Sequence, residues 1–347
     1  MMKKFKVMSL VIAITITMTM VLLVGCGGKA TTKENNGATD TNKKGEQVAA
    51  DSFEGNGIKD NGDSITFVDS RDKEVTIKKN PTKVVCAYNS YLDLWYKLGG
   101  KVVGRVEESD EKSVPESKDA TVVGTAGAPS AEAIISLQPD LVILSNGFSA
   151  HVELATVLEQ SNIPVLCMGI DNIDDYIKVV RIYTALLERE DSYKKYATDI
   201  KGEIEEMISK VPQGEKSRVM LMMSTVKGIK IKGSDSATGE ILKDLGADII
   251  GDGIVQGKSS VDFSMEVLLK EDPDFIFVTE MGSDTEKIKE KRIEDLENNE
   301  VWSSLRAVKE GKYIVLPKDL YTYKPNDKYV EAYNIIAEYL YPKVFKK

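Results

Sequence analysis

The sequence predicts an α/β protein: two Rossmann-like lobes with mostly parallel sheets, joined by a single long α-helix, with a cleft between them. Three observations carry this. First, two stretches 134 positions apart nearly coincide, Glu132-Ala-Ile-Ile-Ser-Leu-Gln-Pro139-Asp140-Leu-Val-Ile-Leu144 and Glu266-Val-Leu-Leu-Lys-Glu-Asp-Pro273-Asp274-Phe-Ile-Phe-Val278. A shorter echo pairs Leu98-Gly-Gly-Lys-Val-Val-Gly104 with Leu245-Gly-Ala-Asp-Ile-Ile-Gly251. Two copies spaced so widely fit paired lobes, not a solenoid. Second, short apolar strands alternate with helical segments of ten or so residues, the pattern of parallel sheet with crossover helices. Third, Ile173, Ile177, Val180, Thr184 and Leu187 lie along one helix face midway between the copies.

The elements follow in order. Ile65–Asp69 and Glu74–Ile77 alternate as a hairpin about Ser70–Lys73. Val84–Ala87 reads as a buried strand, Tyr91–Leu98 as a helix and Val102-Val103 as a strand. Ser130 or a neighbour caps the next helix, with Glu132 in its first turn. Val142–Ser145 is a strand, Val152–Gln160 a helix and Pro164–Cys167 a strand. Asp171, Asn172 or Asp174 can cap the joining helix, and a second helix spans Ser192–Ser209. Beyond it come strand Arg218–Met223, helix Ala237–Leu245, strand Ile249-Ile250, helix Ser264–Lys270 and strand Phe275–Val278. Helical turns from Val301, strand Tyr313–Leu316 and helix Asp327–Leu340 close the chain.

The amino terminus gives an address. Lys3, Lys4 and Lys6 precede an apolar run from Val7 to Val24 that ends in Leu23-Val24-Gly25-Cys26, a secretory signal. That quartet resembles the lipobox of bacterial lipoproteins, which implies cleavage before Cys26 and a diacylglyceryl thioether on its sulfur. An uncleaved membrane anchor is the other reading, and both put the body outside the cytoplasm. Residues 27 to about 60 are too polar to offset their ordering entropy and read as a tether. The organisation is therefore signal peptide 1–25, attachment Cys26 with tether 26–60, first lobe 61–171, joining helix 172–191 and second lobe 192–347.

Charge and motif exclude several functions. The formal net charge is -9, and removing the three leader lysines takes it to -12, which argues against nucleic acid or anionic lipid as partner. There is one histidine, His151, so no His-Glu-x-x-His zinc site exists, and no Gly-x-Ser-x-Gly is present. Gly257-Lys258-Ser259 ends like a phosphate loop, but Asp252 stands where its first glycine belongs. Cys86 and Cys167 each end an apolar run; an exported pair could form a disulfide or stay as two inert core thiols.

Ile65–Gly104, Gly124–Ser145 and the closing run from Val301 to Pro317 resemble the periplasmic-binding family of iron–siderophore, haem and cobalamin ABC importers. The resemblance covers about 63–342. It implies a monomer of two α/β lobes that is no enzyme, holds no cofactor or directly ligated metal, and binds a metal chelate (ferric siderophore, haem or corrinoid). It implies delivery to a permease dimer with its cytoplasmic ATPase, from a lipid anchor at Cys26 on the outer face of the cell membrane. In the family, a glutamate seven residues before each Pro-Asp faces permease arginines, here Glu132 and Glu266. Guanidinium forks would grip one carboxylate per lobe; the bland reading is that both are ordinary first-turn acids favoured by the helix dipole. A lipid-anchored sensor of the same fold, or an exported enzyme, are the alternatives.

Ligands in such sheets bind beyond the carboxyl ends of strands. Those ends offer Tyr88, Asn89, Tyr91 and Arg105 in the first lobe, with Gly127, Ala128, Ser145, Asn146 and Phe148 near them. The second lobe offers Met222, Met223, Ser224 and Thr225, then Gln256 and Lys258, Glu280 and Met281, and Tyr321 and Tyr323. Tyrosine and methionine suit the flat, polarizable face of a macrocycle or chelate. Arg105, Lys258 and Lys324 could meet its carboxylates or catecholates, and His151, Met or Tyr could ligate a haem iron.

Overall fold

The computed structural model describes residues 57–108, 112–214 and 216–346. Cys26, the leader and most of the tether lie outside the described residues. The ordered body begins earlier than the tether reading allows. Ile58 is in the core, and β1 (Lys59–Asp60) pairs with β2 (Ser64–Val68), which pairs with β3 (Glu74–Lys78), all antiparallel. Ile65 faces Ile77 across that hairpin and both are buried, so period-two alternation fixes its register.

The first lobe holds a wholly parallel sheet of β4 (Val84–Cys86), β5 (Gly104–Arg105), β6 (Thr121–Val122), β9 (Leu141–Ser145) and β10 (Val165–Met168), with a small hairpin, β7 (Gly124–Thr125) and β8 (Ala128–Pro129), beside it. Its order is β10-β9-β4-β5-β6. Val103 donates to the Val84 carbonyl, so pairing starts at the expected valines although the strand itself falls at Gly104–Arg105. Helices α1 (Asn89–Lys97), α2 (Ala131–Ser136) and α3 (Ser149–Gln160) make the crossovers.

Asn172 caps the joining helix α4 (Ile173–Leu186), its side chain accepting from Asp175 N–H. Fourteen residues span about 21 Å. The second lobe then builds β11 (Arg218–Thr225), β12 (Gly228–Lys232), β13 (Asp248–Ile249), β14 (Val261–Asp262), β15 (Phe275–Glu280) and β16 (Tyr313–Val315). β13, β15 and β16 run parallel to the sheet's central direction, while β12 is a hairpin partner of β11 and antiparallel to it. Helices α5 (Ala237–Asp244), α6 (Met265–Glu271) and α7 (Tyr329–Leu340) pack on this sheet.

The repeat acquires physical meaning here. Asp140 accepts from the N–H groups of Thr82 and Lys83 at 2.7 and 2.8 Å, just before β4. Asp274 accepts from Arg218 N–H at 2.8 Å, at the start of β11. Each Pro-Asp therefore clamps the entry of the first strand of its lobe's main sheet, and each proline follows a left-handed residue, Gln138 (φ 49°) and Asp272 (φ 37°). The Leu-Gly echoes end α1 and α5 alike. Gly99 and Gly246 are left-handed, and the next residue's N–H reaches five back, to Trp95 and Leu242.

One core cluster runs unbroken from the first sheet (Val84, Ile143) through α4 (Val180, Tyr183) and α7 (Ile336) to the second sheet (Leu221, Phe277). Trp95 anchors it edge-on against Tyr183, ring centres 4.8 Å apart. The outer face of each sheet has its own cluster. Cys86 belongs to the inner cluster and Cys167 to the outer one. β9 lies between their strands, so they stand roughly 10 Å apart on opposite faces, beyond disulfide reach. Both are free and buried, and burial pushes their thiols up to about 12 and about 11. Alkylation of native protein at neutral pH is expected to modify neither Cys86 nor Cys167, with both reacting once urea unfolds the chain. Mass spectrometry checks it, and rapid labelling of folded protein would refute the packing described.

Candidate functional site

The carboxyl ends of β4, β9, β10 and β15 meet at a cleft of about 550 Å³. Tyr88, Tyr91, Gly127, Ser145 and Phe148 line it from the first lobe. Met281, Gly282, Ser283 and residues Thr322, Tyr323 and Lys324 line it from the second. A smaller cavity of about 260 Å³ adjoins it, sharing Asp171, Met281, Thr322 and Lys324, and reaches Met223 and Tyr321. Such volumes suit a small organic ligand or chelate.

Local sequence explains the aromatic wall. Tyr88 is the extended residue at which β4 turns into α1, so its ring leaves the sheet edge. It meets Tyr91 and Phe148 edge-on at 5.0 and 5.5 Å. Tyr91 is buried beneath, its hydroxyl donating to the Met168 carbonyl at 2.9 Å. Burial raises both phenols above their ordinary range, so they stay neutral donors. Gly169 at the tip of β10 leaves room for the Asn146 side chain: a Cβ there would lie 2.6 Å from Asn146 Oδ1, so a larger residue would have to turn that side chain aside.

His151 is fully buried under this wall. Its Nδ1 accepts from Ser145 N–H at 3.0 Å, so Nε2 carries the proton and donates to the Ala126 carbonyl at 2.6 Å. Both ring nitrogens are occupied by backbone, which leaves none for an iron. Burial lowers its pKa.

A polar seam bridges the lobes at one side of the cleft. Lys324 Nζ lies 3.3 Å from Asp171, and Lys324 N–H donates to Ser90 Oγ at 3.2 Å. Asn326 Nδ2 donates to the Ser90 carbonyl and to Asp93, both at 2.8 Å, and Lys97 meets Asp327 at 2.6 Å. Burial works to raise the Asp93 carboxyl, but Lys112, Asn326 and Lys97 outweigh it and hold it low. The lobes thus touch through this seam as well as through α4.

The structure brings together Tyr88, Tyr91 and Tyr323 at the main cleft, and Met223 and Tyr321 at its extension. Gly127, Ser145, Asn146, Phe148, Met281 and Lys324, also expected, line the main cleft with them, whereas several other expected residues are dispersed. Met222 and Ser224 face away from Met223 along β11; Met222 packs in the outer core and Ser224 Oγ donates to the Ile288 carbonyl. Asn89 is buried and donates to the Glu107 carbonyl. Arg105 folds back onto the carbonyls of Ser117 and Val106, and Lys258 is exposed outside both cavities. Gly169, Ile170 and Asp171 were missed, although the end of β10 obeys the same rule that found Tyr88. Reading Asp171 only as a helix cap hid it.

Glu132 and Glu266 sit in the first turns of α2 and α6, and both are exposed. Among the described residues no ion pair engages either carboxylate.

The family model for periplasmic binding protein matches residues 84–320. The Fe(3+)-citrate-binding protein YfmC of Bacillus subtilis is 27% identical over 277 residues, 77% of this chain and 83% of that protein. The iron(3+)-hydroxamate-binding protein FhuD of the same organism is 26% identical over 247 residues, 68% of this chain and 74% of that one. An ABC transporter substrate-binding protein from Listeria monocytogenes has the same fold, with a TM-score of 0.64 at 22% identity, covering 76% of this chain and all of that one.

Proposed function

We propose, from the premise that the chain belongs to the periplasmic binding protein family, that it captures an iron(III) chelate outside the cell and delivers it to an ABC importer. The carrying observation is the inter-lobe cleft, with Tyr88, Phe148 and Tyr91 on one side and the segment Thr322–Lys324 on the other. The aromatic faces cover the chelate, and Lys324 meets an acidic group on it by exchanging its weak contact with Asp171. The names of the relatives, ferric citrate and ferric hydroxamate binders, favour iron chelates over haem or a corrinoid. Acylated Cys26 holds the protein at the outer face of the membrane, and the loaded body presents Glu132 and Glu266 to a permease dimer that works with a cytoplasmic ATPase. The cargo leaves chemically unchanged.

The test is an absorption spectrum of protein purified from its host, followed by calorimetric titration with ferric citrate, ferric hydroxamate, haem and cobalamin. An iron(III) charge-transfer band and saturable binding of a ferric chelate are expected; a Soret or corrin band would reassign the cargo. Tyr88→Ala should weaken binding on the order of tenfold, the worth of one aromatic contact. Unchanged affinity in Tyr88→Ala and Tyr323→Ala together would remove the ligand from this cleft.

A further inference from the structure

The repeat carries a second duplicated feature. Three residues after Glu132 stands Ile135, and three after Glu266 stands Leu269. Residues so spaced share a helix face. Ile135 is 37% and Leu269 39% exposed, and neither belongs to a core cluster, while the preceding Ile134 and Leu268 are fully buried. In each lobe one aliphatic side chain turns inward to hold the helix, and the next turns outward beside the exposed carboxylate. A lone exposed aliphatic is ordinary. The same pairing twice, on helices with matching left-handed ends, is a pattern with an address.

We propose that Ile135 and Leu269 are the apolar halves of two equivalent docking patches, each pairing an aliphatic contact with the carboxylate of Glu132 or Glu266. This deepens the docking reading above and rests on it. The partner is a membrane protein of two-fold symmetry that offers, on each half, a guanidinium beside a shallow apolar recess. Charge complementarity supports that occupant: the chain is strongly acidic, and among the described residues no ion pair engages these carboxylates. Two related patches on one chain match a dimer that shows the same surface twice. The carboxylate steers and orients, and the aliphatic contact, dry once docked, slows release.

The test uses cells lacking the chromosomal copy, complemented with the full chain, and measures uptake of radiolabelled iron presented as ferric citrate. Ile135→Ser with Leu269→Ser should reduce uptake on the order of tenfold or more, with ferric citrate affinity and Tm of the purified protein unchanged. Ile135→Val with Leu269→Ile should restore it. Full uptake by the serine pair, beside lost uptake in Glu132→Lys with Glu266→Lys, overturns the apolar half and leaves the carboxylate reading standing. Full uptake by both pairs overturns docking at these helices altogether, whereas failure of the wild-type chain to restore uptake overturns the proposed import of ferric citrate on which this proposal rests. Loss of affinity or Tm in the serine pair makes these side chains structural and sinks the proposal.

Discussion

Lysine at both Glu132 and Glu266 is expected to abolish import, on the order of a hundredfold or more, while chelate affinity stays within twofold of wild type. Both carboxylates are exposed in first helical turns, away from the cleft lining. Reversal costs each helix a favourable dipole term of about 0.3–1 kcal/mol, too little to unfold a body with one continuous core through both lobes. The proposed docking would lose far more, because attraction between each carboxylate and a guanidinium would become repulsion, and truncating one partner of such a buried charge pair costs about 2–5 kcal/mol. Single reversals should leave a weakened, salt-sensitive uptake that falls as ionic strength rises. The measurements are uptake of labelled iron in complemented cells and calorimetry on the purified double variant. Lost chelate affinity would move these residues into the ligand site; full uptake would leave them as ordinary first-turn acids.

The repeat was legible in the sequence, but its purpose was not. Each Pro-Asp stands out in the chain, whereas its partners, Thr82 and Lys83 for Asp140 and Arg218 for Asp274, lie more than fifty residues upstream and meet it only in the sheet. The glycines of the Leu-Gly echoes are local devices, so their left-handed turns could be anticipated. The inter-lobe cleft divides the same way. Tyr88 is found because a short strand, β4, ends beside it. Met222 and Ser224 fail because β11 runs on to Thr225 through a tight hairpin to β12, with Gly228 at φ 122°, and mid-strand residues alternate faces. Nothing in the sequence tells that Arg105 turns back to carbonyls of its own lobe.

Acidification is expected to loosen the first lobe through one residue. Folding holds His151 neutral: Nδ1 must accept from Ser145 N–H, and a proton there would set donor against donor. Its folded pKa is therefore below the ordinary value of about 6.5, with burial the leading cause. The sign follows. Above about 6.5 neither state binds the proton and the full contribution is present; as pH falls, the unfolded chain protonates first, and stability is lost until pH passes the lower folded-state pKa. The slope is at most about 1.4 kcal/mol per pH unit. Because His151 is the chain's single histidine, proton uptake on unfolding between pH 5 and 7 reports on it with little interference. His151→Ala should cost about 2–5 kcal/mol at pH 7.5, from the cavity and two orphaned backbone groups. His151→Gln, with one acceptor and one donor, should recover part of that and flatten the pH dependence. Ser145 and Ala126 line the cleft, so chelate affinity should weaken over the same window in wild type and not in the glutamine variant. Urea titrations at stepped pH decide it, and an undiminished slope in His151→Gln would assign the proton to another group.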